Sequence, residues 1–108
     1  MEKVAGGIWV LPTGRFIRDY LMEHGEAYPY EIYLALKDER EFRGFKIGSP
    51  TNLYRYFYIL RELGAIRKTG KTEPSSRGGY DRIYYEITPG FERRDNIWRA
   101  PQKVKYHH

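Results

Sequence analysis

The sequence predicts an α+β fold in which three helices precede a C-terminal β-hairpin. Three observations predict it. Prolines or capping residues open, and glycines follow, segments with apolar stripes at helical spacing between residues 13 and 64. Ile83, Tyr85 and Ile87 alternate along the chain, as a half-buried strand requires. A stretch rich in Gly, Pro and Ser, residues 70–79, separates that run from an earlier strand-like one.

The elements follow in order. Residues 8–11, Ile8-Trp9-Val10-Leu11, read as a short N-terminal strand stopped by Pro12. Thr13 suits an N-cap and Gly25 a C-terminal stop. Between them Phe16, Ile17, Tyr20 and Leu21 form one apolar stripe, with Arg15, Arg18, Asp19 and Glu23 away from it. Pro29 suits the first position of a second helix. Ile32, Tyr33, Leu36 and Ala35 are its expected buried face, and residues 37–41 its charged end. Residues 42–48 carry two glycines and read as a connection pinned to the core by Phe42 and Phe45.

Ser49-Pro50 is the clearest start signal, a cap residue directly before a proline. The third helix, residues 49–63, ends before Gly64. Leu53, Tyr56, Phe57, Leu60 and Leu63 cluster on one side of it. Thr51, Arg55, Tyr58 and Glu62 fall opposite, flanked by Asn52 and Tyr54. Residues 65–69 and 80–87 are the strands of the hairpin, which ends at Thr88-Pro89-Gly90. Residues 1–90 thus form one domain, and residues 91–108 a basic C-terminal extension. That extension either tracks a polyanion as a basic arm or packs through Ile97 and Trp98 before fraying.

Composition narrows the function. With 108 residues, 41% of them hydrophobic and 17% aromatic, the chain can bury one core but has little room for a catalytic cleft. It has no cysteine, which excludes disulfides, thiol catalysis and cysteine-bound metal, and fits a cytoplasmic location. Abundant Tyr, Arg, Lys and Glu without Cys also fits a thermophilic source. No apolar run reaches the roughly 20 residues of a membrane span, and residues 8–11 are too short for a signal peptide's apolar region. His24 stands alone, His107 and His108 lie at the chain end, and no cluster has metal-ligand spacing. No enzyme activity and no cofactor are expected.

Charge points to a partner. Residues 1–41 hold five basic and eight acidic side chains, whereas residues 42–108 hold fourteen basic and six acidic. A basic half of this kind suits a polyanion, although a solvated basic surface has the same composition. Three helices and a hairpin with a long basic tip form the layout of a winged helix-turn-helix. Its third helix would place Thr51, Asn52 and Arg55 at base edges in the major groove. Arg pairs bidentately with guanine and Asn with adenine. Ser49 and the helix N-terminus face phosphate, and Tyr54 and Tyr58 donate to phosphates or pack on sugars. Lys68, Lys71, Arg77 and Arg82, on wing residues 65–87, meet the backbone or the minor groove.

Three motifs also resemble a known family. Ser49-Pro50-Thr51-Asn52-Leu53-Tyr54-Arg55, closing in Leu63-Gly64-Ala65-Ile66, resembles the recognition helix of PadR-type regulators. Arg82-Ile83-Tyr84-Tyr85-Glu86-Ile87-Thr88-Pro89-Gly90 resembles their second wing strand, and Tyr30-Glu31-Ile32 the start of their second helix. The resemblance covers about residues 13–92 and implies a DNA-associated transcriptional regulator. PadR-like proteins dimerise through long C-terminal helices, whereas residues 91–108 contain Pro101 and no apolar stripe. A homodimer therefore stays open without that element. Two other partner classes remain: a protein that docks on Tyr54 and Tyr58, and RNA or single-stranded nucleic acid stacked on tyrosines.

Overall fold

The computed structural model describes residues 12–75 and 81–99. In it each long helix starts at or just after a proline. Helix α1 (Thr13–His24) follows Pro12, α2 (Pro29–Phe42) begins on Pro29, and α3 (Thr51–Glu62) follows Pro50. Proline suits these positions because the first amides of a helix have no internal acceptor. Thr13 is thus the first helical residue of α1 rather than its cap, since the fixed φ of Pro12 already sets the entry.

The stops are glycines in the left-handed region. Gly44 has φ +92 and Gly64 φ +83. At the end of α3 the Ala65 amide reaches the Leu60 carbonyl, 2.9 Å, and the Gly64 amide that of Arg61, 2.9 Å. The end of α2 repeats the arrangement, Phe45 to Arg40 at 2.9 Å and Gly44 to Glu41 at 3.0 Å. Both are Schellman closures, which satisfy the last carbonyls and turn the chain sharply.

After α3 comes an antiparallel hairpin of β1 (Ile66–Glu73) and β2 (Arg82–Ile87). The α+β class is as expected, and the layout is compatible with a winged helix-like fold. Near the helices Ile66 faces Ile87 and Lys68 faces Tyr85; toward the tip Thr72 faces Ile83. The pairing slips between Lys68 and Thr72, so residues 69–71 of β1 bulge opposite Tyr84. A third segment joins the sheet. Ala27, between α1 and α2, exchanges two backbone hydrogen bonds with Tyr85, at 3.1 and 2.9 Å. Nothing in the α1–α2 connection alternates as a strand does, so this pairing has no local signal. The expected strand over residues 8–11 lies outside the described residues.

The core collects Ile17 and Leu21 of α1, Ile32 and Leu36 of α2, Leu53, Phe57 and Leu60 of α3, and Tyr85 of β2. Phe42 and Phe45 do not pin the α2–α3 connection. Phe42 is 92% exposed, because as the last residue of α2 it falls on the side of that helix away from Ile32, Leu36 and Arg40, and Ile47 packs on the core instead.

A fourth helix, α4 (Asp95–Arg99), adds to the three expected. It packs on α1 and places Trp98 in the core with no exposed surface. The indole N–H of Trp98 donates to the Phe91 carbonyl at 2.8 Å. At least the part of the extension up to residue 99 therefore packs rather than serving as a free arm. Asp95 accepts from both Arg15 and Arg18, on the side of α1 expected to be solvated. Its hydrogen bond from Arg15, aided by the charges of Arg15, Arg99 and Arg18, holds the Asp95 carboxyl below the usual range.

Two predictions follow from this packing. Trp98→Ala should cost about 3–5 kcal/mol of stability by cavity formation, read by urea denaturation. An unchanged midpoint would place α4 outside the cooperative unit. Asp95 is depressed when folded, so its contribution is present at neutral pH and is lost as pH falls through its folded value. Asp95→Asn should therefore lower the melting temperature at pH 7, with the gap to wild type closing in strong acid.

Candidate nucleic-acid interface

Helix α3 has two unlike sides. Leu53, Phe57, Ile59 and Leu60 are buried, while Tyr56 and Leu63 are only half-buried. Ile59 was not part of the expected face. Opposite the core, Thr51, Asn52, Tyr54, Arg55, Tyr58 and Glu62 are exposed, Tyr54 at 41% and Tyr58 at 57%. The helical spacing of the sequence is thus realised, and one polar-aromatic row is presented to solvent.

The start of this row is held by local contacts. Ser49 Oγ accepts the Thr51 amide at 3.4 Å and donates to Thr51 Oγ1 at 3.1 Å. Ser49 acts as a cap from two residues before α3, because Pro50 takes the boundary position. Tyr33 of α2 donates its hydroxyl to the Gly48 carbonyl at 2.6 Å, which ties the preceding connection to α2. Tyr30 stacks on Tyr33 with centroids 5.6 Å apart. Burial, then the neighbouring Tyr30 and Tyr33, raise the Tyr54 hydroxyl above its ordinary pKa. Tyr54 therefore belongs to an aromatic group that spans α2 and α3.

Eight of the fifteen Lys and Arg side chains among the described residues lie in ion pairs, and Arg61, Arg93, Arg94 and Arg99 are among the seven that do not. Arg15 and Arg18 are paired with Asp95, Lys37 with Glu41, Arg40 and Arg43 with Glu39, and Arg67 with Glu86. Arg55 of α3 and Lys68 of β1 are exposed and pair with no carboxylate among the described residues. Lys46 has the same status, five residues ahead of α3. Sequence reading passed over Lys46 because it lies in a connection with no pattern of its own. The signal available was its position between Phe45 and a helix start.

Two expected wing cations have other partners. Lys71 Nζ lies 3.5 Å from a Glu26 carboxylate oxygen and 4.3 Å from the centre of the Tyr84 ring. The Arg82 guanidinium lies 4.8 Å from the centre of the Tyr28 ring and 3.8 Å from Glu73. Tyr28 and Tyr84 meet edge to face at 5.4 Å. Tyr84 donates to Glu73 at 2.6 Å, and this bond, with burial, lifts its hydroxyl to about 12. The structure thus brings Lys71 and Arg82 together in a box of tyrosines and glutamates at the side of the hairpin. Arg77 lies outside the described residues.

Among the described residues no group of three His, Asp or Glu could hold a metal ion, and no helix is long and apolar enough to cross a membrane. No family model, no curated protein and no solved structure matches the chain.

Ser49→Ala should remove the acceptor for the Thr51 amide and cost about 0.5–1 kcal/mol. Chemical denaturation would read this, and Ser49→Asp should restore it. Equal stability of the alanine and aspartate variants would show that Pro50 alone sets the helix start.

Proposed function

We propose that this chain binds double-stranded DNA, with α3 in the major groove and the hairpin on the backbone or minor groove. The observation that carries the reading is the exposed row of Thr51, Asn52, Arg55 and Tyr58 on a helix anchored by its opposite side. Arg55 pairs with no carboxylate among the described residues, which leaves its guanidinium available for bidentate pairing with guanine. Asn52 offers the amide pair that reads adenine. Lys46 before the helix and Lys68 after it supply phosphate contacts that fix register without reading sequence. Glu62, at the far end of the row, limits close approach of DNA to the first two turns. Transcriptional control is the role implied by the PadR-like motifs Leu53-Tyr54-Arg55 and Tyr84-Tyr85 with Thr88-Pro89.

A protein partner is the second reading, favoured by the exposed Tyr54, Tyr58 and Phe45. Selection of bound sequences from random duplexes separates the two. DNA binding predicts an enriched motif, and a palindrome within it would indicate a dimer.

Arg55→Ala should relax selection at one base pair and cost about 1–3 kcal/mol there. Lys68→Ala should weaken binding to all sequences alike and reduce the salt slope by about 0.9. If both variants bind duplex DNA as wild type does across a salt titration, the assigned contacts are wrong.

A further inference from the structure

We infer that Glu26 competes with nucleic-acid phosphate for Lys71 and thereby sets the affinity of the wing. This rests on the DNA-binding reading above and adds to it a residue on the α1–α2 connection, far in sequence from either proposed contact element.

The geometry is specific. Glu26 and Tyr28 flank Ala27, whose backbone is fixed to Tyr85 by two hydrogen bonds. That pairing holds the Glu26 carboxylate beside the hairpin rather than leaving it on a free loop. Lys71 sits in the β1 bulge, directly opposite Tyr84. Its ammonium is shared between Glu26 at 3.5 Å and the face of Tyr84 at 4.3 Å. Tyr84 is itself held by its hydroxyl on Glu73 and by the edge of Tyr28. The cation is thus bound on two sides by a preformed acceptor, whereas Lys68, three residues earlier on the same strand, has none among the described residues.

The hold is weak enough to exchange. Both Lys71 and Glu26 are partly exposed, with side chains 46% and 36% accessible. Exposed ion pairs and cation–π contacts are individually modest. The bulge, which contains Gly70 at φ +97, leaves Lys71 outside the regular ladder, so its side chain can leave Tyr84 without breaking strand pairing. A phosphate oxygen then replaces the Glu26 carboxylate. Binding is opposed by the contact given up, and removal of Glu26 strengthens binding.

The test is a double-substitution cycle in the full chain, read by binding to a random-sequence duplex at low salt. Glu26→Gln should raise affinity about two- to fivefold, the range expected for an exposed pair. The same substitution on a Lys71→Ala background should have no effect. An equal gain on both backgrounds would mean that Glu26 only adds a repulsive field, and no gain on wild type would mean that Lys71 is not contested; either overturns the inference. A second arm uses polyphosphate, a polyanion without bases. The Lys71 side-chain protons, shielded by the Tyr84 ring in the free protein, should shift downfield as polyphosphate is added to wild type. Unmoved Lys71 signals overturn the inference. A Lys71 response to polyphosphate without duplex binding rejects the DNA reading, and the inference for nucleic acid with it, whereas duplex binding without the Glu26 effect rejects the inference alone.

Discussion

The paired hydrogen bonds between Ala27 and Tyr85 are the constraint on which the rest of the molecule depends. Two strands alone make a marginal sheet that could swing about its base. Here β2 is held on its second edge by the α1–α2 connection, so the hairpin cannot move relative to the helices without breaking both bonds. Tyr85 then carries the constraint inward. Its ring is buried, meets Phe57 of α3 edge to face at 5.5 Å, and lies beneath the Arg61 guanidinium. One residue thus connects the hairpin, the first helical connection and the inner side of α3. The relative placement of the α3 row and the wing follows from that single position.

Sequence and structure agree where local chemistry decides the outcome. Proline starts and glycine stops mark all three long helices, because caps and left-handed closures act within a few residues. The exposed row of α3 was legible for the same reason, since helical spacing alone separates Arg55 and Tyr58 from Leu53 and Phe57. Contacts between distant segments were not legible. Ala27 pairs with a residue 58 positions later through backbone atoms, which carry no sequence signature. Trp98 could have been a core residue or part of a basic arm by composition; tertiary packing on α1 decided it. Phe42 failed in the opposite sense: α2 runs on through it, and helical spacing then puts its ring on the outer side of that helix.

The environment of the wing cations was the least legible, and the reason is physical. A count of Lys68, Lys71 and Arg82 treats each as a free charge. The slip in register places Lys71 over Tyr84, and the edge contact of Tyr28 brings Arg82 into the same group. Neither a bulge nor an edge-to-face ring pair can be read from a single sequence. Ion pairing thus changes the meaning of composition: eight of the fifteen Lys and Arg side chains among the described residues have a carboxylate within reach, and of the seven that do not, Lys46, Arg55 and Lys68 lie before, on and after α3.

This distribution bears on how a polyanion would be recognised. Affinity from counterion release grows with the number of phosphates neutralised, and is blind to sequence. A surface of many free cations would therefore hold any duplex tightly and discriminate poorly. Internal pairing lowers that non-specific contribution, and it does so without lowering the net charge that steers encounter at long range. On the DNA-binding proposal, the unpaired cations nearest α3 frame a short row in which Arg55 and Asn52 would distinguish bases and Lys46 and Lys68 would fix register. In such a protein the carboxylates are as much a determinant of selectivity as the basic residues they cover, since each one decides whether a neighbouring cation contributes to every site or only to a site that can displace it.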